Sequence, residues 1–197
     1  VLVEPNLETF NVEAVAYEKY IGPRTKAIMP VHLYGQVCEM EAILALAKKY
    51  DLRIIEDCAQ VHGAVRGGYV PGTADLGAYS FYPTKNLGAL GDAGAISVTS
   101  ASDAESLSAM RNYGSHEKYK NKYIGWNSRM DEIQAACLSV KLKSLEEMNL
   151  HRIELARLYN ENLSNELIKP IFSADHSHVF HIYNVRLQDR GALKDFL

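Results

Sequence analysis

The sequence predicts an α/β fold organised on a parallel sheet, and three observations carry that expectation. Short apolar runs recur at residues 26–33, 52–55 and 78–82; a segment of helical periodicity separates the first two; and the residues able to do chemistry gather just past the ends of the second and third runs.

Taken in order, KAIMPVHL (residues 26–33) reads as an apolar strand. Met40 to Tyr50 follows with Met40, Ile43, Leu44 and Ala47 on one helical face. Leu52 to Ile55 is a second short strand, so residues 26–57 form a strand–helix–strand unit whose natural geometry is a right-handed parallel crossover. Ala78–Tyr82 and Ala95–Thr99 are two further strands, separated by the glycine-rich KNLGALGDAG, and Ala101–Asn112 is a helix after a Ser/Asp start. Gly88, Gly91 and Gly94 match neither a dinucleotide fingerprint nor a P-loop and are assigned to turning the chain between strands. From Ser128 the pattern becomes helical, with Met130, Ile133, Ala136, Cys137, Val140 and Leu145 on one side, and it continues to Leu163. Val179–Leu187 alternates like a strand. The expected division is a large domain over residues 1–127, connecting helices over 128–165 and the beginning of a smaller domain over 166–197.

Composition narrows the function. The chain has 197 residues, 47% of them apolar, which is enough for a core. A net charge of −3 and the lack of any basic stripe argue against a nucleic-acid partner. No apolar run approaches spanning length, so no membrane association is expected, and Val1-Leu2-Val3-Glu4 lacks the features of a signal peptide. Cys38, Cys58 and Cys137 are odd in number and far apart, which fits reduced thiols and a cytoplasmic location. His176 and His178 would share a strand face while His181 points away, and no acid or cysteine cluster accompanies them, so no metal site is expected. The strand-like opening and the close at Asp195-Phe196-Leu197 without a polar tail suggest part of a longer protein.

The chemistry sits in IIEDCAQVHG and GAYSFYPTKNLGALGDAG. Asp57, Gln60, Ser80 and Lys85 supply an acid, an amide, a hydroxyl and an amine at strand ends, the set that a pyridoxal 5'-phosphate site requires. A lysine amine in a partly buried, glycine-flanked position can react with the cofactor aldehyde. An aspartate beside the pyridine nitrogen keeps it protonated, so the ring can accept electrons. Gln60 can bond the ring hydroxyl, and Ser80 can hold a phosphate oxygen. Each residue alone has an ordinary alternative: a solvated lysine, a capping aspartate, a strand-end serine. Together they favour the cofactor.

The segments HLYGQ (32–36), EDCAQVHG (56–63), SFYPTKNLGALGDAGA (80–95) and NSRMDEIQAA (127–136) closely resemble the DegT/StrS-type sugar aminotransferases, pyridoxal phosphate enzymes of fold type I. The resemblance covers essentially the whole chain and implies a partial PLP-dependent transferase fold, with part of the large-domain sheet and the start of the C-terminal domain. It implies Lys85 as the Schiff-base lysine, Asp57 as the pyridinium partner, Gln60 as the contact to the ring hydroxyl and Ser80 as a phosphate ligand. It further implies that Asn127 reaches the phosphate of the neighbouring subunit in a homodimer with a shared active site; a helix cap is the other role open to Asn127. His62, Tyr34, Tyr119, His178 and Tyr183 are implied near the sugar, although His62 also suits a packed, hydrogen-bonded role. The implied reaction moves an amine from an amino acid donor, glutamate, to a nucleotide-linked keto sugar, most like a thymidine-diphosphate 3-keto-6-deoxyhexose, in amino-sugar biosynthesis. Lys85 argues against the dehydratase branch, which carries histidine there, and the intact tetrad argues against a non-catalytic regulatory protein of the same fold.

Overall fold

The computed structural model describes residues 1–117, 120–171 and 177–197. Its centre is a four-stranded sheet in the order β1 (Ala27–Ile28), β2 (Arg53–Asp57), β3 (Leu76–Ser80), β4 (Gly94–Val98). β1, β2 and β3 run parallel, and β4 pairs antiparallel with β3 from Leu76↔Val98 to Ser80↔Gly94. A short helix, α1 (Ala14–Glu18), precedes the sheet, and α2 (Met40–Tyr50) makes the crossover from β1 to β2 over the span read from its periodicity. That helix buries Met40, Ile43, Leu46 and Ala47. They pack with Ile28, Val37, Ile54, Cys58, Val61 and Val179 into the main core. The chain leaves α2 through Asp51, whose left-handed φ of 52° ends the helix and turns it into β2.

The first strand is much shorter than the apolar run 26–33 predicts. Pro30 offers no N–H to a ladder, and the chain coils into a 3₁₀ turn over Leu33–Gly35. Pairing nevertheless continues beyond the strand, because Asp57 N–H donates to Pro30 O at 2.9 Å and His32 N–H to Asp57 O at 3.3 Å. β3 starts and stops two residues earlier than predicted, since its register with β2 (Ile55↔Leu76 to Asp57↔Ala78) ends at the same edge.

Beyond β4, α3 (Ala101–Met110) is capped by Ser100, whose side chain accepts from Asp103 N–H. A small hairpin of β5 (Ser115–Glu117) and β6 (Lys120–Asn121) follows. The predicted helical stretch is two helices, α4 (Glu132–Leu142) and α5 (Leu145–Asn162). Helix α4 begins at Glu132 with Asp131 at its N-cap, so Asn127 does not cap it. The apolar side of α4 does not all face the core: Ile133 and Val140 are about two-thirds exposed (65% and 69%), and Leu138 is the residue packed against Leu87, Ala89 and Leu145. α5 buries Ile153 and Ala156 against Phe180. No strand forms over Val179–Leu187: Phe180 takes a positive φ of 44°, and pairing is limited to the isolated bridges Gln36↔His178 and Ile168↔Arg186. A last helix, α6 (Arg190–Phe196), was not foreseen. No helix among the described residues is long and apolar enough to cross a membrane.

Candidate active site

The C-terminal edge of the parallel strands gathers the acid, the amide and the hydroxyl. Asp57 is the last residue of β2, and its Oδ1 accepts Ala59 N–H at 3.0 Å, an Asx turn that swings the chain toward Gln60. Among the described residues, Asp57 Oδ2 has no hydrogen-bond partner. Ser80 ends β3, where its Oγ accepts Tyr82 N–H at 3.4 Å. Gly35, at φ 103°, lets the 33–36 turn lie flat on this edge: a Cβ there would stand 2.8 Å from His181 N and 3.1 Å from Gln60 O.

Lys85 is carried by a clamped loop between β3 and β4. Its N–H donates to Tyr82 O at 2.9 Å, and Ala89 N–H to Phe81 O at 2.7 Å closes the loop. Gly88 is folded so tightly onto Pro83 that a Cβ would lie 2.4 Å from Pro83 O. Helix α4 holds the loop from outside, with Lys141 Nζ donating to Gly88 O and Gln134 Oε1 accepting Leu90 N–H. From inside, Asn86 is 4% exposed and its amide is fully committed. Nδ2 donates to Asn149 Oδ1 at 2.9 Å and to Val179 O at 3.0 Å, and Oδ1 meets His181 Nδ1 at 3.2 Å. Asn149 in turn donates to His62 O at 2.8 Å. Sequence reasoning missed Asn86, Asn149 and His181 as site residues; the signal available was an uncharged polar side chain beside the lysine and another in the middle of an amphipathic helix.

Burial keeps three histidines neutral, His62 and His181 near Lys85 and His178 two residues before Phe180. His62 is buried against Phe81 and Tyr79 (centroids 5.5 and 6.0 Å), and among the described residues neither ring nitrogen has a hydrogen-bond partner. Burial first, then the nearby Lys85 charge, bring its pKa down to about 4. Burial and the charges of Lys85 and Arg152 bring His181 to about 4 as well. His178 is stacked on Phe180 at 3.8 Å, its Nδ1 accepts Phe180 N–H, and burial lowers it to about 4. An unfolded histidine titrates near 6.5. The unfolded chain therefore takes up protons between about 6.5 and 4 while the folded one does not. Stability is expected to be full above that window and to fall as pH drops through it, read as a lower urea midpoint at pH 5 than at pH 7.

The other sequence-predicted residues that are described have contacts of their own. Tyr34 sits in the 3₁₀ turn, 5.4 Å edge-on to Phe10. Tyr183 donates to Asn160 Oδ1 at 2.7 Å and packs on Tyr159. Asn127 is exposed and bridges Asn112. Tyr119 and His176 lie outside the described residues. The two cavities that stand out also lie off the lysine: one of about 520 Å³ is lined by Gly63, Val65, Leu142, Leu145, Glu146 and Asn149, touching the network only through Gly63 and Asn149. The other, about 470 Å³, lies around Ile168, Arg186 and Leu193.

Behind Asp57, Glu56 is fully buried with both oxygens engaged: Oε2 with His32 Nε2 at 3.0 Å, Oε1 accepting Tyr69 OH at 2.8 Å and Ala74 N–H at 3.1 Å. Burial alone would raise its pKa, but the donors from His32, Gly72, Tyr69 and Ala74 outweigh it and hold the carboxylate below its usual range. His32, Glu56 and Cys58 have donor atoms within 4.8 Å of one another. Since His32 Nδ1 also accepts Cys38 N–H, both histidine nitrogens and both carboxylate oxygens are spent on protein hydrogen bonds, and the cluster is a structural one.

The residues fit a pyridoxal phosphate. Among the described residues Gln60 Oε1 is buried without a hydrogen-bond partner, an acceptor suited to a donor such as a ring hydroxyl. Among the described residues the Lys85 amine makes no ion pair or hydrogen bond. A family model matches residues 1–197 from end to end, that of the DegT/DnrJ/EryC1/StrS aminotransferase family. The chain belongs to that family. Among relatives in the family, the dTDP-3-amino-3,6-dideoxy-alpha-D-galactopyranose transaminase of Aneurinibacillus thermoaerophilus is 51% identical, over 100% of this chain and 55% of its own. The solved S. venezuelae DesV, in complex with a ketimine intermediate, superposes with a TM-score of 0.94 at 41% identity, covering 99% of this chain and 53% of DesV. NtdA from Bacillus subtilis, solved with bound cofactor PMP, gives 0.88 at 32% identity, covering 98% and 45%. The chain thus spans about half the length of the curated relatives it matches, and its mixed α/β architecture is the corresponding part of the family fold.

Proposed function

We propose that these residues form the lysine-bearing half of a pyridoxal phosphate-dependent aminotransferase. Its substrates would be an amino acid donor, glutamate, and a nucleotide-linked keto sugar, of the dTDP-3-keto-6-deoxyhexose class. The observation that carries this is Lys85 on a clamped loop that follows β3, at the sheet edge that presents Asp57 and Gln60 Oε1, an acceptor with no partner among the described residues. The 51% identity to a dTDP-amino-sugar transaminase supports the sugar class.

When bound, pyridoxal phosphate would supply the electron sink that lets bonds at the substrate α-carbon break. Lys85 would tether the aldehyde carbon and, once freed by the incoming amine, move a proton between the substrate carbon and that aldehyde carbon. Asp57 would hold the proton on the ring nitrogen, Gln60 would accept from the ring hydroxyl, and the Ser80 hydroxyl would donate to a phosphate oxygen. Asn127, exposed and therefore available to a second subunit, is assigned to the partner's phosphate, in a cytoplasmic homodimer with shared sites. The free thiols of Cys38, Cys58 and Cys137 support the location. Tyr34, Tyr119 and Tyr183 are assigned to the sugar side, with the sealed His62 and His178 backing the wall. Residues 1–127 would belong to the cofactor domain, 128–165 to connecting helices and 166–197 to the smaller domain.

The test is spectroscopic. The cofactor-loaded intact protein is expected to show the absorbance of a lysine-linked cofactor, to lose it on addition of glutamate and to regain it with a dTDP-3-keto-6-deoxyhexose. A band indifferent to glutamate would refute transamination and leave only cofactor binding.

A further inference from the structure

His181 is the polar group nearest the lysine loop for which the reading above has no use. Its neighbours dictate its proton. Asn86 Nδ2 serves two carbonyl oxygens, Asn149 Oδ1 and Val179 O, which fixes the amide orientation and leaves Oδ1 as an acceptor. An acceptor at 3.2 Å from His181 Nδ1 requires Nδ1 to carry the hydrogen. Neutral His181 is therefore the Nδ1–H tautomer, and Nε2 is left with a lone pair that no described residue uses. The ring is only half-buried, and its backbone is pinned: Gly35 lies against His181 N, Val179 N–H donates to Gly35 O and Ile182 N–H to Tyr34 O. The residue holding the ring, Asn86, is the chain neighbour of Lys85.

We infer that His181 is a positioning residue for the Lys85 amine: Asn86 holds its ring in the tautomer whose Nε2 can accept a hydrogen bond from that amine once an incoming substrate amine has displaced it from the cofactor. This rests on the assignment of Lys85 above. Among the described residues, the charged and titratable groups around the ring are Lys85, His62 and Arg152, the last donating to Phe180 O at 3.4 Å. None is an anion, so the amine is steered by a neutral acceptor, which leaves it able to take and give protons rather than fixing it as an ammonium in an ion pair.

The test compares the intact wild-type protein with His181→Phe, His181→Gln, Asn86→Leu and Lys85→Ala, each loaded with pyridoxal 5'-phosphate. His181→Phe is expected to move the pH midpoint of the lysine-linked absorbance by about half a unit or more. It should also slow single-turnover reaction with glutamate by about 10- to 100-fold. His181→Gln, which keeps an acceptor, should restore most of both, and Asn86→Leu should resemble His181→Phe. Nitrogen-15 NMR of the wild-type imidazole should show Nδ1 protonated. A wild-type midpoint and rate in His181→Phe, or an imidazole protonated on Nε2, would overturn the inference, and the NMR result stands even if a variant fails to fold. Lys85→Ala separates the two readings: if it keeps the lysine-linked band, the function assigned to Lys85 fails; if it loses the band while His181→Phe behaves as wild type, only the role of His181 fails.

Discussion

Lys85→Ala is expected to lower transamination by about 10³-fold or more, because one side chain supplies both the covalent tether and the proton carrier. The fold should survive. The loop that presents Lys85 is held by the Tyr82, Ala89, Gln134 and Lys141 contacts and by the Asn86 amide, none of which involves the lysine amine. The variant should still bind pyridoxal phosphate through Asp57, Gln60 and Ser80. Borohydride reduction followed by mass spectrometry of the peptide containing residue 85 should show a cofactor adduct in the wild type and none in the variant. A variant with wild-type turnover would remove the proposed function altogether.

The second large effect is expected away from the chemistry, at Glu56. Glu56→Leu strips partners from one buried donor, His32 Nε2, and two partly buried ones, Tyr69 OH and Ala74 N–H, and a buried group left unsatisfied costs about 1–3 kcal/mol. The sum is a large share of the stability of a typical domain, about 5–15 kcal/mol. The loss reaches the site because His32 N–H and Pro30 O clasp the backbone of Asp57. Chemical denaturation should show a lowered midpoint, and cofactor affinity should fall with it. Acid offers an independent check. The folded carboxylate titrates below its ordinary value, near 4.5. Its contribution is therefore complete above that value and drains as pH falls through the lower folded one. The gap in stability between wild type and Glu56→Gln should narrow on acidification; a constant gap would argue that Glu56 is protonated when folded.

Much of the molecule is legible in its residues, for identifiable reasons. Helix α2 was readable end to end because Met40, Ile43 and Ala47 all face one core and the left-handed Asp51 stops it. The apolar run at 26–33 misled because periodicity does not register that Pro30 withholds an N–H. The Ile133–Val140 stripe shows a different limit: periodicity puts these apolar residues on one side of a helix but does not say what covers them, and within this chain Ile133 and Val140 meet solvent. Val179–Leu187 alternates acceptably, but Phe180 takes a positive φ and packs on Ile153 and Ala156 of α5, a tertiary demand that local pattern cannot anticipate. At the candidate site, the acid, amide, hydroxyl and amine were visible as types at strand ends. The Asn86–Asn149–His181 network was not, since its members stand up to 95 positions apart and are joined only by packing.

Cys38 and Cys58 lie within the main core, at 1% and 0% exposure, and burial raises the pKa of both thiols, that of Cys38 to about 12. A sulfur so shielded is both out of reach of alkylating reagents and poor in thiolate, whereas Cys137 on α4 is partly accessible. The molecule thereby carries its own stopwatch: one mole of label should enter quickly, and the arrival of the next two should time how often the ground beneath Asp57 comes apart.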